Sequence, residues 1–199
     1  MVGVVAVVAL VTVAAFLLGS VNPASIIARV LGRDLRGAGS GNPGATNAGR
    51  VLGVRWGILV GVLDLLKGLV PTWVALRAVG ELAAALVGLA VVLGHIWSPF
   101  LGGRGGKGVA TSVGALLALT PWLALVAVVV FAAAVVLLRT TGKASILACA
   151  ALVVAGVSSA TGLVSLASVL TSWWAVLLGA IVLTRHHRNL RAWGRLARS

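Results

Sequence analysis

Acidic side chains are nearly missing from this chain of 199 residues: three Asp plus Glu, at Asp34, Asp64 and Glu81, stand against 16 Lys plus Arg. Cysteine is reduced to Cys149 and charged residues to 10%. Each shortage excludes something. A lone cysteine closes no intrachain disulfide, and within an apolar run it reads as a buried small hydrophobe. No carboxylate follows Glu81, so no acid follows His95 or His186 to orient it, and the His-x4-Asp dyad of many acyltransferases is absent. A Ser-His-Asp triad would have to borrow Asp34 or Asp64, and Mg-dependent phosphoryl transfer lacks its carboxylates. The histidines have no cysteine or acid at ligand spacing, so no metal site is expected.

What is there is apolar: 60% of residues are hydrophobic. A soluble domain is about a quarter charged, and a disordered chain is poor in apolar residues, so both classes are excluded. At about 20 residues per crossing, the length supplies several membrane spans. Apolar stretches run over 2–18, 54–79, 82–97, 109–119, 122–138, 145–163 and 166–184. The predicted fold is therefore an all-α polytopic membrane protein of about seven transmembrane helices. The first stretch has no basic residue before it, which marks it as a retained span and not a cleaved signal. Pro121 removes a backbone donor and is expected to break 109–138 into two helices. With seven spans and the N-terminus outside, every Lys and Arg except Lys67 and Arg77 falls on one side, which the positive-inside rule makes cytoplasmic. The net charge of +13 then reports topology, and no nucleic acid partner is implied. Trp56, Trp73, Trp97, Trp122, Trp173 and Trp193 fall near span ends, as interfacial rings do. Gly53, Gly57 and Gly61 form a small-residue face suited to close helix packing. No repeat or linker is visible, so residues 1–199 read as a single membrane-embedded domain.

Polar residues cluster in three segments on the basic side. In the first, Ser40 to Arg50 (SGNPGATNAGR), glycines alternate with hydroxyl and amide side chains and end in an arginine before a helix. This suits either an anion site, with converging backbone N–H groups and a bidentate Arg50, or a flexible loop. In the second, Gly94-His95 leads to GGRGGKGVAT at Gly102 to Thr111, where Lys107 opens the fourth span. Orphan N–H groups, the helix dipole and the lysine together favour a phosphate, although an ordinary basic turn would also obey topology. The pattern is not a nucleotide-binding P-loop, which would need Gly at Leu101 and Ser or Thr at Gly108. His95 alone fits a satisfied core histidine. The third segment is Arg185 to Arg191 (RHHRNLR), where His186 and Asn189 share a helix face and the later arginines suit anionic lipid. A smaller patch, TTGKAS, ends at Ser145. Asp64 and Lys67, three apart within a span, read as an ion pair or as part of the site.

Two classes of function remain open on the residues alone: an enzyme joining a phosphorylated, water-soluble substrate to a lipid or acyl group, or a carrier or flippase for a phosphorylated, anionic head group. A carrier is expected to show broken spans or inverted repeats, and no repeat is visible.

The three segments, in this order and spacing, resemble the signature motifs of the bacterial acyl-phosphate:glycerol-3-phosphate acyltransferases, the PlsY family. The GSVNPASIIARVLGRDLR stretch before the first motif is similar to the GC-rich branch of that family, whereas the tail RAWGRLARS departs from the usual acidic-containing ending. The resemblance implies transfer of a fatty acyl group from acyl phosphate to the 1-hydroxyl of glycerol 3-phosphate, giving lysophosphatidic acid in phospholipid synthesis, in the cytoplasmic membrane of a bacterium with the active site facing the cytoplasm. It implies no cofactor, no metal, no direct use of acyl-CoA, and a functional partner that supplies acyl phosphate. By motif position, Ser40, Lys107, His186 and Asn189 are the implied catalytic residues. Substrate binding is implied for these and for Gly41, Asn42, Thr46, Asn47, Arg50, His95, Gly105, Gly106, Gly108 and Ser145. An acyl phosphate is a mixed anhydride with a good leaving group, so the enzyme needs mainly to position two phosphates and stabilise developing charge. Direct attack, with a substrate phosphate taking the proton, is the expected mechanism.

Overall fold

The structure is a computed structural model that describes residues 2–187. It is all-α among those residues, and falls into two compact units, one over Met1–Ala118 and one beginning at Leu119.

In the first unit α1 (Val2–Ser20) is apolar on every side, as a lipid-embedded helix is. It packs along α5 (Glu81–Ile96). The crossing is close enough that a Cβ on Gly94 would stand 2.1 Å from the Phe16 carbonyl oxygen. The α4 helix (Val54–Ala78) shows why such a sequence belongs in lipid. Its buried positions are Gly57, Val60, Asp64, Lys67, Gly68, Thr72 and Ala75, a helical stripe of small and polar residues. Ile58, Val62, Leu66, Val70 and Trp73 face outward, each at least 41% exposed. This is the inverse of a soluble helix, whose apolar stripe faces inward.

Two short helices lie between α1 and α4. In α2 (Pro23–Val30) Asn22 caps the N-terminus, accepting from Ser25 N–H at 2.8 Å, and Pro23 takes the first helical position. Next, α3 (Ala45–Leu52) packs on α4, and Gly57 lets the two axes meet: a Cβ there would be 2.6 Å from Gly49 Cα. Gly61 also faces this contact, against Ala45. The small-residue face is thus packing, except that Gly53, at φ +105, forms the break between α3 and α4. The α6 helix (Val109–Leu119) closes the unit.

In the second unit α7 (Pro121–Leu138) packs on α8 (Thr141–Ala160), and α8 on α9 (Val169–Thr184). The expected break at Pro121 is present, with Thr120 outside both helices between α6 and α7. Sequence placed the last two spans closer together than they are. Ser159 Oγ accepts from Leu166 and Ala167 N–H at 3.2 Å each, and Ser168 caps α9, so 161–168 form a turn.

Among the described residues five stretches are long and apolar enough to cross a membrane: Val5–Val30, Val54–Ala78, Glu81–Leu101, Pro121–Leu138 and Thr141–Ala160. The other two predicted spans exist as shorter apolar helices, Val109–Leu119 and Val169–Thr184.

The α1–α5 crossing yields a first prediction. Gly94→Ala drives a methyl into the Phe16 carbonyl, which is backbone and cannot swing away, so stability should fall by about 1–3 kcal/mol. Thermal unfolding in detergent measures it. A midpoint equal to that of the unsubstituted protein would mean that the helices are not in contact there.

Candidate active site

The first polar segment is half loop and half helix: Arg50 stands before α4, as expected, but within a short helix that was not expected. The helix begins at Ala45, and Arg50 lies in its last turn. Thr46 and Arg50, four apart, are both exposed, while Asn47 and Ala48 face inward. Asn47, 1% exposed, organises the loop: its Nδ2 donates to the Leu35 and Ala38 carbonyls at 3.0 and 3.1 Å, and its Oδ1 accepts from Ser40 N–H at 2.8 Å. Ser40 is thereby held through its backbone, with the residue itself exposed. The Asn22 side chain donates to the Pro43 carbonyl at 2.9 Å and ties the loop to the start of α2. Gly41 and Asn42 are half-buried on the same loop.

Arg36, which sequence reasoning passed over, joins the first segment to the second. Asp34 accepts from the N–H groups of Arg36 and Gly37 in a tight turn. From that turn the Arg36 guanidinium donates to the carbonyls of Arg104 at 2.9 Å and Leu101 at 3.3 Å. The loop carrying Ser40 is therefore clipped to the turn that leads into Lys107.

That turn follows a 3-10 turn at Pro99–Leu101 and doubles back on the end of α5. Gly105 N–H donates to the Ile96 carbonyl and Gly106 N–H to that of His95, both at 3.0 Å. Only glycine fits: a Cβ on Gly105 would stand 2.0 Å from the His95 oxygen, and one on Gly106 2.2 Å from His95 Nε2. Gly108, at φ +86, occupies the left-handed region that side chains avoid, immediately before α6. Lys107 sits half-buried between these glycines.

Beneath the turn lies an ion cluster. Lys67 Nζ is 2.9 Å from Asp64 Oδ1 and donates to the Val21 carbonyl at 2.9 Å, so the pair expected on α4 is formed. Packing of α5 on α4 adds His95, whose Nδ1 is 3.4 Å from the same carboxylate oxygen. All three residues are at most 9% exposed. An acid does face His95, then, from upstream in the chain. The sequence signal was Asp64 on a stripe of small residues, which marks the buried face of α4.

In the second unit Ser145 is buried and donates to the Thr141 carbonyl at 2.8 Å. His186, 1% exposed, has Nδ1 3.0 Å from the Val182 carbonyl. A carbonyl only accepts, so Nδ1 carries the proton. Asn189 lies outside the described residues, as does Trp193.

The model of the family described as glycerol-3-phosphate acyltransferase matches residues 9–195. The chain belongs to that family. It is 39% identical over 182 residues to the glycerol-3-phosphate acyltransferase of Aquifex aeolicus strain VF5, covering 88% of this chain and 90% of the relative. To the glycerol-3-phosphate acyltransferase of Geobacter sulfurreducens it is 41% identical over 184 residues, covering 90% of each. Two crystal structures of PlsY (YgiH), an integral membrane glycerol 3-phosphate acyltransferase, share the fold. The glycerol 3-phosphate form superposes with a TM-score of 0.84 at 36% identity, over 92% of this chain and 90% of that one. The lysophosphatidic acid form gives 0.82 at 35%, with the same coverage. The resemblance read from the three motifs is confirmed, and with it the all-helical, integral-membrane fold of the PlsY family.

Proposed function

We propose that the protein acylates the 1-hydroxyl of glycerol 3-phosphate with acyl phosphate as donor, releasing lysophosphatidic acid and inorganic phosphate. The observation that carries the reading is the Arg36 clip. It joins an exposed Ser40, Thr46 and Arg50 to a glycine turn presenting Lys107, two phosphate-suited elements in one unit. The PlsY structures holding glycerol 3-phosphate and lysophosphatidic acid support the substrate and product classes.

In the proposed reaction the substrate hydroxyl oxygen attacks the acyl carbonyl carbon. The new ester C–O bond forms, the C–O bond to phosphate breaks with its electron pair leaving on phosphate, and the hydroxyl proton passes to a phosphate oxygen. No acyl-enzyme forms. Lys107 and Arg50 bind the two phosphates, with Gly108 beside them at the start of α6; Gly105 and Gly106, implied as substrate ligands by motif position, spend their N–H groups on the Ile96 and His95 carbonyls and hold the turn in place. Ser40, Gly41, Asn42 and Thr46 line the loop side, and Asn47 holds that loop in shape. By motif position alone, Ser145, His186 and Asn189 are proposed to bind substrate as well, and residues 1–199 to act as one membrane-embedded domain. Support for that unity comes from the family match, which runs through both units. Seven crossings with the N-terminus outside would place the site on the cytoplasmic face of a bacterial inner membrane, next to a partner that supplies acyl phosphate.

Protein reconstituted in vesicles with labelled glycerol 3-phosphate and acyl phosphate tests this reading. Label should appear in lipid-extractable lysophosphatidic acid. Unmodified label accumulating in the lumen would overturn the enzyme in favour of a carrier.

A further inference from the structure

The buried cluster of Asp64, Lys67 and His95 has no part in the chemistry above. A pair that only neutralised charge within a span would need Asp64 and Lys67 alone. Here the same carboxylate oxygen also lies 3.4 Å from His95 Nδ1. The imidazole therefore stands with its Nδ1 edge on the Asp64 side and its Nε2 edge turned the other way. Nε2 is then packed against Gly106, with no room for a Cβ between them. The His95 carbonyl in turn accepts from Gly106 N–H at 3.0 Å. Ring and backbone of one histidine thus fix the residue immediately before Lys107. On the other side of the cluster Lys67 donates to the Val21 carbonyl, and the next residue, Asn22, holds Pro43 of the first motif.

We propose that Asp64 and His95 are positioning residues for the acyl transfer: Asp64 fixes the rotation of the imidazole, and the imidazole sets where the Gly106–Lys107 backbone stands. This rests on the proposed function and assigns His95 to the support of the turn instead of to contact with substrate. Geometry of this kind matters most in the transition state, where a displacement of about 1 Å costs on the order of 10²-fold in rate.

The contact between His95 and Gly106 allows a size exchange. His95→Asn keeps a polar atom on the Asp64 side but withdraws the atoms that touch Gly106. Gly106→Ala adds a methyl aimed at the vacated volume, and its backbone is outside the left-handed region, so alanine is conformationally allowed. Each single variant should lose on the order of 10²-fold in kcat, with KM for glycerol 3-phosphate changed little. The double variant should recover at least about tenfold over either single, because the two changes complement each other in volume. Losses that multiply in the double variant, or a wild-type kcat in His95→Asn, overturn the proposal. Should His95→Asn fail to accumulate, Asp64→Asn gives a second reading. Its loss in kcat should vanish in a Lys107→Ala background if it acts through the turn, and an undiminished loss there overturns the idea. No lysophosphatidic acid from the unsubstituted protein would instead refute the proposed function. An active protein with independent variants refutes only the positioning role.

Discussion

Lys107→Ala is expected to lower kcat/KM by about 10²–10³-fold while the protein still inserts and unfolds at its usual temperature. The lysine stands half-buried between Gly106 and Gly108, two residues before the first residue of α6. There its charge is carried on a turn that is pinned to α5 by two backbone hydrogen bonds. In the proposed reaction negative charge grows on the leaving phosphate as the anhydride breaks. A donor fixed beforehand stabilises that charge without the reorganisation that water would need. Topology should not suffer, because Arg29, Arg33, Arg36, Arg104 and Arg139 remain on the same predicted side. Steady-state kinetics in detergent, alongside a melting curve, measures both halves of the expectation. Turnover near the wild-type level would reduce the lysine to a topological charge.

Lys67→Met is expected to have the largest effect on stability, a loss of about 3–5 kcal/mol, because it leaves Asp64 buried within a span without its cation. The 2.9 Å ion pair and the hydrogen bond to the Val21 carbonyl disappear together. Only the longer approach of His95 then faces the carboxylate. Removing both charges, as in Asp64→Leu with Lys67→Met, should cost less than removing the lysine alone, since no unpaired charge stays behind. Denaturant unfolding of the two variants decides the point. A double variant less stable than Lys67→Met would show that the pair stabilises by attraction beyond mutual neutralisation.

The sequence was most legible where lipid dictates it. Seven apolar stretches became seven helices, and Pro121 divides α6 from α7, because backbone groups in hydrocarbon must close their own hydrogen bonds. The two short helices were missed for different reasons. The start of α2 carried a readable signal in Asn22-Pro23, a cap followed by a first-position proline. In α3 the glycine cap offers no side chain to read, and Thr46, Asn47 and Gly49 are weak helix formers, so packing of Gly49 on Gly57 stabilises it instead of propensity. Ser40, Arg50 and Lys107 stand out in the sequence because each lies in a segment that mixes glycine with polar or basic side chains, apart from the apolar stretches. Arg36 and the approach of Asp64 to His95 do not, since each joins segments far apart in sequence. Asn47 was read as a substrate ligand, and its contacts are those of a loop brace.

The most direct test of the account supplies purified protein, in the presence of chelator, with labelled glycerol 3-phosphate and either acyl phosphate or acyl-CoA. The predicted result is equal amounts of lysophosphatidic acid and inorganic phosphate from acyl phosphate, and no product from acyl-CoA. Lysophosphatidic acid formed from acyl-CoA with release of free coenzyme, or no product from acyl phosphate, would contradict it.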